Sequence, residues 1–372
     1  MKIAIIGTAF PLRGGIAHYN AQLYKYLSIS HEVDIITFKR QYPKLFFPGK
    51  SQTETGEVLF QHKSESLIDS INPFNWIIVG LKLRKRNYDI IIFKYWLPFF
   101  GPAFGTITSI AKKGKEKVIA ICDNIIPHEK RFGDKIFTRF AFRKVDSCIV
   151  QSDEVEKDLE NIFPKMIYKK IPHPVYEIFG EPISNTEAKL KLKIPHKNIF
   201  LFFGYIRPYK GLMVLIEAME IVLKKIDSHL LVLGEFYENP KPYFDKISEL
   251  NLEKNITIKA EYIPNSNVGD YFSAADFIVL PYLDATQSGI AQISYYFNKP
   301  IIASNVGGLG EVVKNEFSGL LVSPNNPDEL AEKIIYFYEN NLSQKLTEGV
   351  LVEKKKYSWS KMVEAIDELA KN

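Results

Sequence analysis

The stretch Pro281–Gly308, PYLDATQSGIAQISYYFNKPIIASNVGG, decides the fold. It follows the apolar run Asp276–Leu280 (DFIVL), which reads as a buried strand. A loop of small polar residues comes next: Asp284, Ala285, Thr286, Gln287, Ser288 and Gly289. Ile290, Ile293 and Phe297 then recur at helical spacing, and Pro300–Ser304 forms a second strand that runs into Gly307–Gly308. Strand, Ser/Gly loop and helix start are the repeating unit of a parallel α/β sheet. The free N–H groups and the dipole of such a helix start suit an anion such as phosphate. An ordinary βα turn with Ser288 as N-cap reads from the same residues. The rest of the chain has to decide between them.

Working outward, the same alternation runs through residues 198–322. Strands are expected at Asn198–Phe203, His229–Gly234, Ile256–Lys259, Asp276–Leu280, Pro300–Ser304 and Gly319–Val322, with helices between them. Pro327–Tyr338 and Trp359–Ala370 read as further helices. Toward the N-terminus, strands are expected at Lys2–Ile6, Glu32–Thr37, Asp89–Phe93, Lys117–Cys122 and Ser147–Val150. Helical patterns separate them at Ala17–Leu27, Trp76–Arg86, Ala103–Ala111 and Lys135–Lys144. Continuous β-branched runs alternating with helices predict parallel sheets buried on both faces. Glu57–His62 reads as one more strand, and Arg40–Thr55 as a polar, Pro-rich connection. Lys169–Glu181, with its prolines and glycine, and the polar Ser184–His196 read as a linker.

The expected organisation is α/β, with two doubly wound, Rossmann-like parallel-sheet domains facing a central cleft. The boundaries are 1–176 for an acceptor-side domain and 177–355 for a donor domain, with a closing helix at 356–372 packing back on the first. In such sheets ligands bind beyond the carboxyl ends of the strands.

Composition narrows the class. The chain has 372 residues, 46% hydrophobic and 24% charged, as in a soluble globular protein. Cys122 and Cys148 show no CxxC or Cys/His spacing, which argues against a disulfide framework or a zinc site and for a reduced, cytoplasmic setting. MKIAIIGTAF is too short in its apolar part for a signal peptide and reads as a first strand. No apolar run reaches the roughly 18 residues that span a bilayer. A net charge of +5 suits anionic ligands or an anionic membrane surface, and is too small to argue for nucleic acid.

The loops after the strands carry the candidate chemistry. Pro11–Ala17 (PLRGGIA) brings Gly14 and Gly15, where backbone can approach a ligand closely, although a GxGxxG fingerprint is absent. Gly204–Gly211 (GYIRPYKG) brings Arg207 and Lys210 to a helix start, a fork and a point charge that suit a diphosphate; a solvated basic loop is the other reading. Ile121–Glu129 (ICDNIIPHE) brings His128, which could act as a base, hydrogen-bond a sugar hydroxyl or serve structure. Glu311 in Val306–Val312 fits a helix dipole, and His173 in the linker reads as structural. Lys82–Arg86 (KLRKR) is either a solvated helix end or, with Phe46, Phe47 and Trp96–Phe100, a membrane-surface contact. Ser-His-Asp, HExxH and GxxxxGK[ST] motifs are absent, as is an Asp-x-Asp pair suited to a metal-held diphosphate. A metal-free diphosphate site of Arg, Lys and helix termini is the consistent picture.

Taken in order, the GG loop, RPYKG, the strand–PY–loop–helix, NKPIIAS, VGGLGEVV and SGLLV–SPNNP resemble the retaining glycosyltransferases of family 4, the group 1 enzymes with the GT-B fold. The resemblance is strongest in Phe202–Gly211 and Pro281–Val322. It implies a hexosyl-transferring enzyme of cell-surface polysaccharide or glycoconjugate synthesis. The donor would be a UDP- or GDP-sugar, and the acceptor a saccharide or a lipid-linked saccharide. It implies no cofactor and no required metal, and allows peripheral contact with the inner membrane surface. By the resemblance Arg207 and Lys210 hold the donor diphosphate with Gly14 and Gly15 nearby, and His128 lies near the transferred sugar. Asp284, Thr286, Gln287, Ser288, Gly289 and Ile290 complete the donor loop. The family's two glutamates, eight positions apart, fall at Ala285 and Ile293 here, and Asp284, Gln287 and Gln292 are the candidates to substitute. A nucleotide-sugar epimerase or phosphorylase and a non-catalytic nucleotide-sugar-binding protein are the rival readings.

Overall fold

The structure is a computed structural model that describes residues 1–43, 52–53, 64–126 and 132–371. The chain divides into two compact units, Met1–Pro174 with Ser358–Asn372, and Val175–Tyr357.

The first unit is built on seven strands: β1 (Lys2–Ile6), β2 (Glu32–Arg40), β3 (Ser64–Asp69), β4 (Ile90–Tyr95), β5 (Lys117–Cys122), β6 (Ser147–Val150) and β7 (Ile167–Lys170). They pair in parallel in the order β3-β2-β1-β4-β5-β6-β7. Its helices are α1 (Gly15–Leu27), α2 (Pro73–Arg86), α3 (Gly101–Ala111), α4 (Asp134–Phe142) and α5 (Asp153–Ile162). The central strands are buried along almost their whole length, which explains their largely apolar composition.

The second unit has β8 (Ile199–Phe203), β9 (His229–Leu233), β10 (Ile256–Lys259), β11 (Phe277–Leu280), β12 (Ile301–Ser304) and β13 (Gly319–Val322). These are parallel, in the order β10-β9-β8-β11-β12-β13. Around them lie α6 (Asn185–Leu192), α7 (Leu212–Val222), α8 (Lys241–Glu249), α9 (Asn265–Ala274), α10 (Gly289–Tyr296), α11 (Gly307–Val312), α12 (Pro327–Glu339) and α13 (Ser343–Glu353). The core under this sheet is rich in Phe, Leu and Ile, with Phe200 and Phe277 stacked at 5.1 Å. The last helix, α14 (Trp359–Lys371), belongs to the first unit, where Trp359 stacks on Tyr26 and meets Tyr19.

Three segments differ from their sequence reading. Residues 185–192 form α6 instead of a linker, because the Ser184 side chain accepts a hydrogen bond from the Glu187 N–H and caps a helix that its polar composition disguises. Ile167–Lys170 adds β7 as a half-exposed edge strand, so it lacks the apolar run of the central strands. Ser64–Asp69 supplies β3, while the strand expected at Glu57–His62 lies outside the described residues. Among the described residues no helix is long and apolar enough to cross a membrane.

Candidate functional site

In each sheet the strand order reverses direction at one point: between β1 and β4 in the first, between β8 and β11 in the second. Crevices open beyond the carboxyl ends of the strands at such points, and ligands bind there.

In the second unit the two loops that flank this point are the ones that follow β8 and β11. After β8 the chain turns at Gly204, where φ is 105°. It hydrogen-bonds along the β9 extension through Gly204 N–H to Leu233 O and Ile206 N–H to Glu235 O. Pro208–Lys210 then form one 3₁₀ turn, and Gly211, with φ 68°, opens α7. A Cβ on Gly211 would lie 1.9 Å from the Pro281 carbonyl oxygen, so only glycine lets this loop press against the one after β11. The Leu283 N–H donates to Tyr209 O at 2.7 Å and ties the two loops together. On the far side, a Cβ on Gly308 would lie 2.1 Å from Thr286 O, and the Gly308 N–H donates to Ala285 O. The loop Pro281–Ser288 is thus held between two close backbone contacts.

Lys210 is the centre of this arrangement. It is 8% exposed, its Nζ lies 5.6 Å from the centre of the Tyr282 ring, and no carboxylate pairs with it among the described residues. Burial, and then the charge of Arg207, lower its pKa to about 8. Arg207 stands half-buried 5.1 Å from the Tyr237 ring and likewise makes no ion pair among the described residues. The start of α10 lies against the same turn: a Cβ on Gly204 would touch Lys210 Nζ at 2.9 Å and Ile290 Cδ1 at 3.3 Å. Ser288 is the buried N-cap residue, and its side chain makes no capping hydrogen bond. Two cations and a helix N-terminus without a counter-anion are brought together here, which is an anion site in electrostatic terms.

The other sequence candidates fall as follows. Thr286 is buried, Gln287 and Gly289 are half-buried, and Asp284 is exposed in the same loop. Ala285 and Ile293, at the two glutamate positions, are both buried. Gln292 is 1% exposed, and its Oε1, like that of Gln287, is shut away from solvent. Gly14, with φ 110°, precedes α1, and Gly15 is its first residue. His128 and Glu129 lie outside the described residues, as do Phe46 and Phe47. His173 is buried, donates from Nδ1 to Pro174 O and sits edge-on against Tyr19; burial lowers its pKa to about 3. Glu311 is half-buried in the short α11. Cys122 and Cys148 are free and buried. No group of three or more His, Cys, Asp and Glu that could hold a metal ion occurs among the described residues.

A second polar cluster lies at the carboxyl edge of the first sheet and has no counterpart in the sequence reading. Lys94, 2% exposed near the end of β4, donates to Asp123 Oδ1 at 2.6 Å and to Gln151 Oε1 at 3.3 Å. Its Nζ also lies 3.4 Å from the centre of the Tyr19 ring, and Gln151 donates to the Tyr19 hydroxyl. Burial lowers the Lys94 pKa, and Asp123 opposes the shift. The available signal was a lysine inside IIIFKY, an otherwise apolar strand.

Comparisons with known proteins agree with this architecture. Solved structures similar over the whole chain are glycosyltransferases with the GT-B fold. One is sucrose-phosphate synthase from Thermosynechococcus elongatus, with TM-score 0.77 and 19% identity over 100% of this chain and 98% of that one. Another is the Anabaena protein HepE in complex with UDP, with TM-score 0.77 and 15% identity over 99% of each chain. HepE has also been solved with UDP-glucose. Among curated relatives, the uncharacterized glycosyltransferase MJ1178 of Methanocaldococcus jannaschii is 31% identical over 62% of this chain, which spans 60% of that protein's length. The D-inositol 3-phosphate glycosyltransferase of Streptosporangium roseum is 25% identical over 74% of this chain and 67% of its own. Residues 184–350, most of the second unit, match the family model described as glycosyl transferases group 1.

Proposed function

We propose that this protein is a retaining glycosyltransferase of family 4. It would move a hexosyl group from a UDP- or GDP-sugar to a hydroxyl of a saccharide or lipid-linked saccharide, in cell-surface polysaccharide or glycoconjugate synthesis. The observation that carries the reading is Lys210: a buried ammonium without a carboxylate partner, beside Arg207 and the N-terminus of α10 at the topological switch point. A buried charge without a partner is costly, and a diphosphate would offset that cost. The match of residues 184–350 and the UDP and UDP-glucose complexes of HepE support a nucleotide-sugar donor, with uridine nucleotides tested first.

In this mechanism the bond from the anomeric carbon to the diphosphate breaks through an oxocarbenium-like state. Arg207, Lys210 and the N–H groups of Ser288–Ile290 stabilise the charge that develops on the leaving diphosphate; such preorganised donors are worth ~3 kcal/mol each. The acceptor hydroxyl attacks from the same face, and its proton passes to the departing phosphate. No protein nucleophile is assigned. By the family resemblance His128 and Gly15 serve the sugar and the diphosphate, and Asp284 or Gln287 takes over from the glutamate pair.

One observation favours a second reading. Apolar, buried side chains at both glutamate positions, Ala285 and Ile293, fit a protein that binds nucleotide sugars without turning them over. The test is a panel of UDP- and GDP-sugars with saccharide acceptors, with and without Mg²⁺, following nucleoside diphosphate release and the anomeric configuration of the product by NMR. Transfer with retention, lost in Arg207→Ala, supports the transferase. Binding with neither transfer nor C2 inversion favours the second reading, and inversion alone favours an epimerase.

A further inference from the structure

The two cations of the anion site lack the partner that buried cations ordinarily have. Among the described residues neither Arg207 nor Lys210 meets a carboxylate, and each lies over an aromatic ring instead. The Arg207 guanidinium is 5.1 Å from the centre of the Tyr237 ring, and the Lys210 ammonium 5.6 Å from that of Tyr282. Both distances are within cation–π reach. The choice of partner matters to a ligand. A carboxylate would hold the cation and neutralise it, so an incoming anion would have to compete. A ring face holds the cation through its quadrupole and leaves the full charge and the N–H donors for the anion.

The backbone brings Tyr237 to Arg207. The loops after β8 and β9 stay paired beyond the sheet: Ile206 N–H donates to Glu235 O at 2.9 Å, Tyr237 N–H donates to Ile206 O at 3.0 Å, and Ile206 bridges Phe236 in parallel. Arg207 continues this stretch in an extended conformation, with φ −138° and ψ 156°. Tyr205 and Arg207 are two residues apart on it and so leave from the same side. Tyr237 meets both, its ring 4.4 Å from that of Tyr205. A long, half-buried arginine on a loop would otherwise sample many rotamers, and ordering it on binding would cost affinity.

Tyr282 is held more firmly. It is 3% exposed, its ring meets Tyr209 edge-on at 6.0 Å, and its hydroxyl lies 3.5 Å from Ser288 Oγ. Burial raises its pKa, so the phenol stays neutral and adds no counter-charge beside Lys210. Ser288 is the N-cap residue of α10, so the ring that faces Lys210 is also tied to the helix start.

We propose, on the reading of Arg207 and Lys210 as the diphosphate ligands, that Tyr237 and Tyr282 are positioning residues whose ring faces hold the two cations in place of carboxylates, so that both charges reach the diphosphate whole. The experiment is calorimetric titration of the full chain with UDP, GDP and inorganic pyrophosphate, which carries the diphosphate chemistry without a base. It compares wild type, Tyr237→Phe, Tyr237→Leu, Arg207→Ala and Arg207→Ala/Tyr237→Leu, with the ligand-free stability of each read by urea denaturation. Tyr237→Phe should bind within about twofold of wild type, and Tyr237→Leu ~2- to 30-fold more weakly. The double variant should bind no more weakly than Arg207→Ala, because the ring acts only through the guanidinium. Tyr282→Phe should likewise keep its affinity, since the face and not the hydroxyl meets Lys210, and Tyr282→Leu should add nothing to the loss in Lys210→Met. Losses that add, or Tyr237→Leu binding as tightly as wild type while Arg207→Ala is weakened, overturn the proposal and leave the donor site standing. Wild type that binds none of the three ligands, or an Arg207→Ala that binds them as well as wild type, overturns the proposal together with the donor site.

Discussion

The ammonium of Lys210 occupies the space in which a side chain on Gly204 would begin: a Cβ there would lie 2.9 Å away. The first residue after β8 and the last residue of the 3₁₀ turn are thus fitted to each other, and Gly204 also needs its positive φ of 105°. Gly204→Ala should cost ~1–3 kcal/mol in backbone strain. The flexible lysine tip can retreat, so the protein should fold. Its ammonium would then leave the α10 N-terminus, and UDP should stabilise the variant far less than wild type. Urea denaturation with and without UDP measures both effects. An unchanged response to UDP would mean that the lysine does not reach the nucleotide.

Lys210 sets a pH dependence whose sign differs between stability and binding. Its folded pKa, about 8, is below the ordinary 10.5. Between those values the unfolded chain binds more protons, so stability should rise with pH from about 8 toward 10.5. Below that window the full cost of burying the charge is present, on the order of 3 kcal/mol for a shift of this size. Nucleotide affinity should run the other way, weakening by up to about tenfold per pH unit above 8, because the bound diphosphate needs the ammonium. Lys210→Met should flatten both profiles. Calorimetric titration of UDP from pH 7 to 9.5 against wild type and variant checks this.

The parallel sheets were legible because a strand buried on both faces has to be almost wholly apolar, as Ile90–Ile92 and Phe277–Leu280 are. Helix α6 was not, because its stability rests on the Ser184 cap and packing at Ala188, while Leu190 is exposed and most of its other residues are polar. Arg207, Lys210 and Ser288 could be read from their positions after strand ends. What sequence could not supply was the burial of Lys210 or its lack of a partner, which depend on how Gly204, Gly211 and Gly308 let three loops close together. Lys94 was hidden for a related reason. A lone lysine in a strand gains meaning only when Asp123, Gln151 and Tyr19 arrive from three other elements.

That cluster should behave as a unit. Asp123→Asn would leave the Lys94 ammonium buried with only carboxamides and a ring face, and should cost about 3–5 kcal/mol. Its pKa would fall further, so the variant should recover stability as pH rises from 7 to 9. Lys94→Met/Asp123→Asn should be less destabilised than the sum of the two single changes, since neither charge is then stranded. Urea denaturation at both pH values measures the coupling; strict additivity would mean that the pair is not coupled in solution.

Gln292 offers the reverse case. Its carboxamide oxygen is buried in α10 and has no hydrogen-bond partner among the described residues. An unmet acceptor costs about 1–3 kcal/mol, and a leucine of similar size removes it. Gln292→Leu should therefore stabilise the protein by about 1 kcal/mol. Because the whole Gln292 side chain is buried at 1% exposure, the same change should leave nucleotide affinity unaltered. Gln287→Ala, in the half-buried loop at the helix start, should instead weaken it. Running both variants through one thermal-shift titration with UDP separates a structural glutamine from a ligand-facing one. If Gln292→Leu lost nucleotide binding and Gln287→Ala kept it, the side of α10 that faces the donor would have to be reassigned.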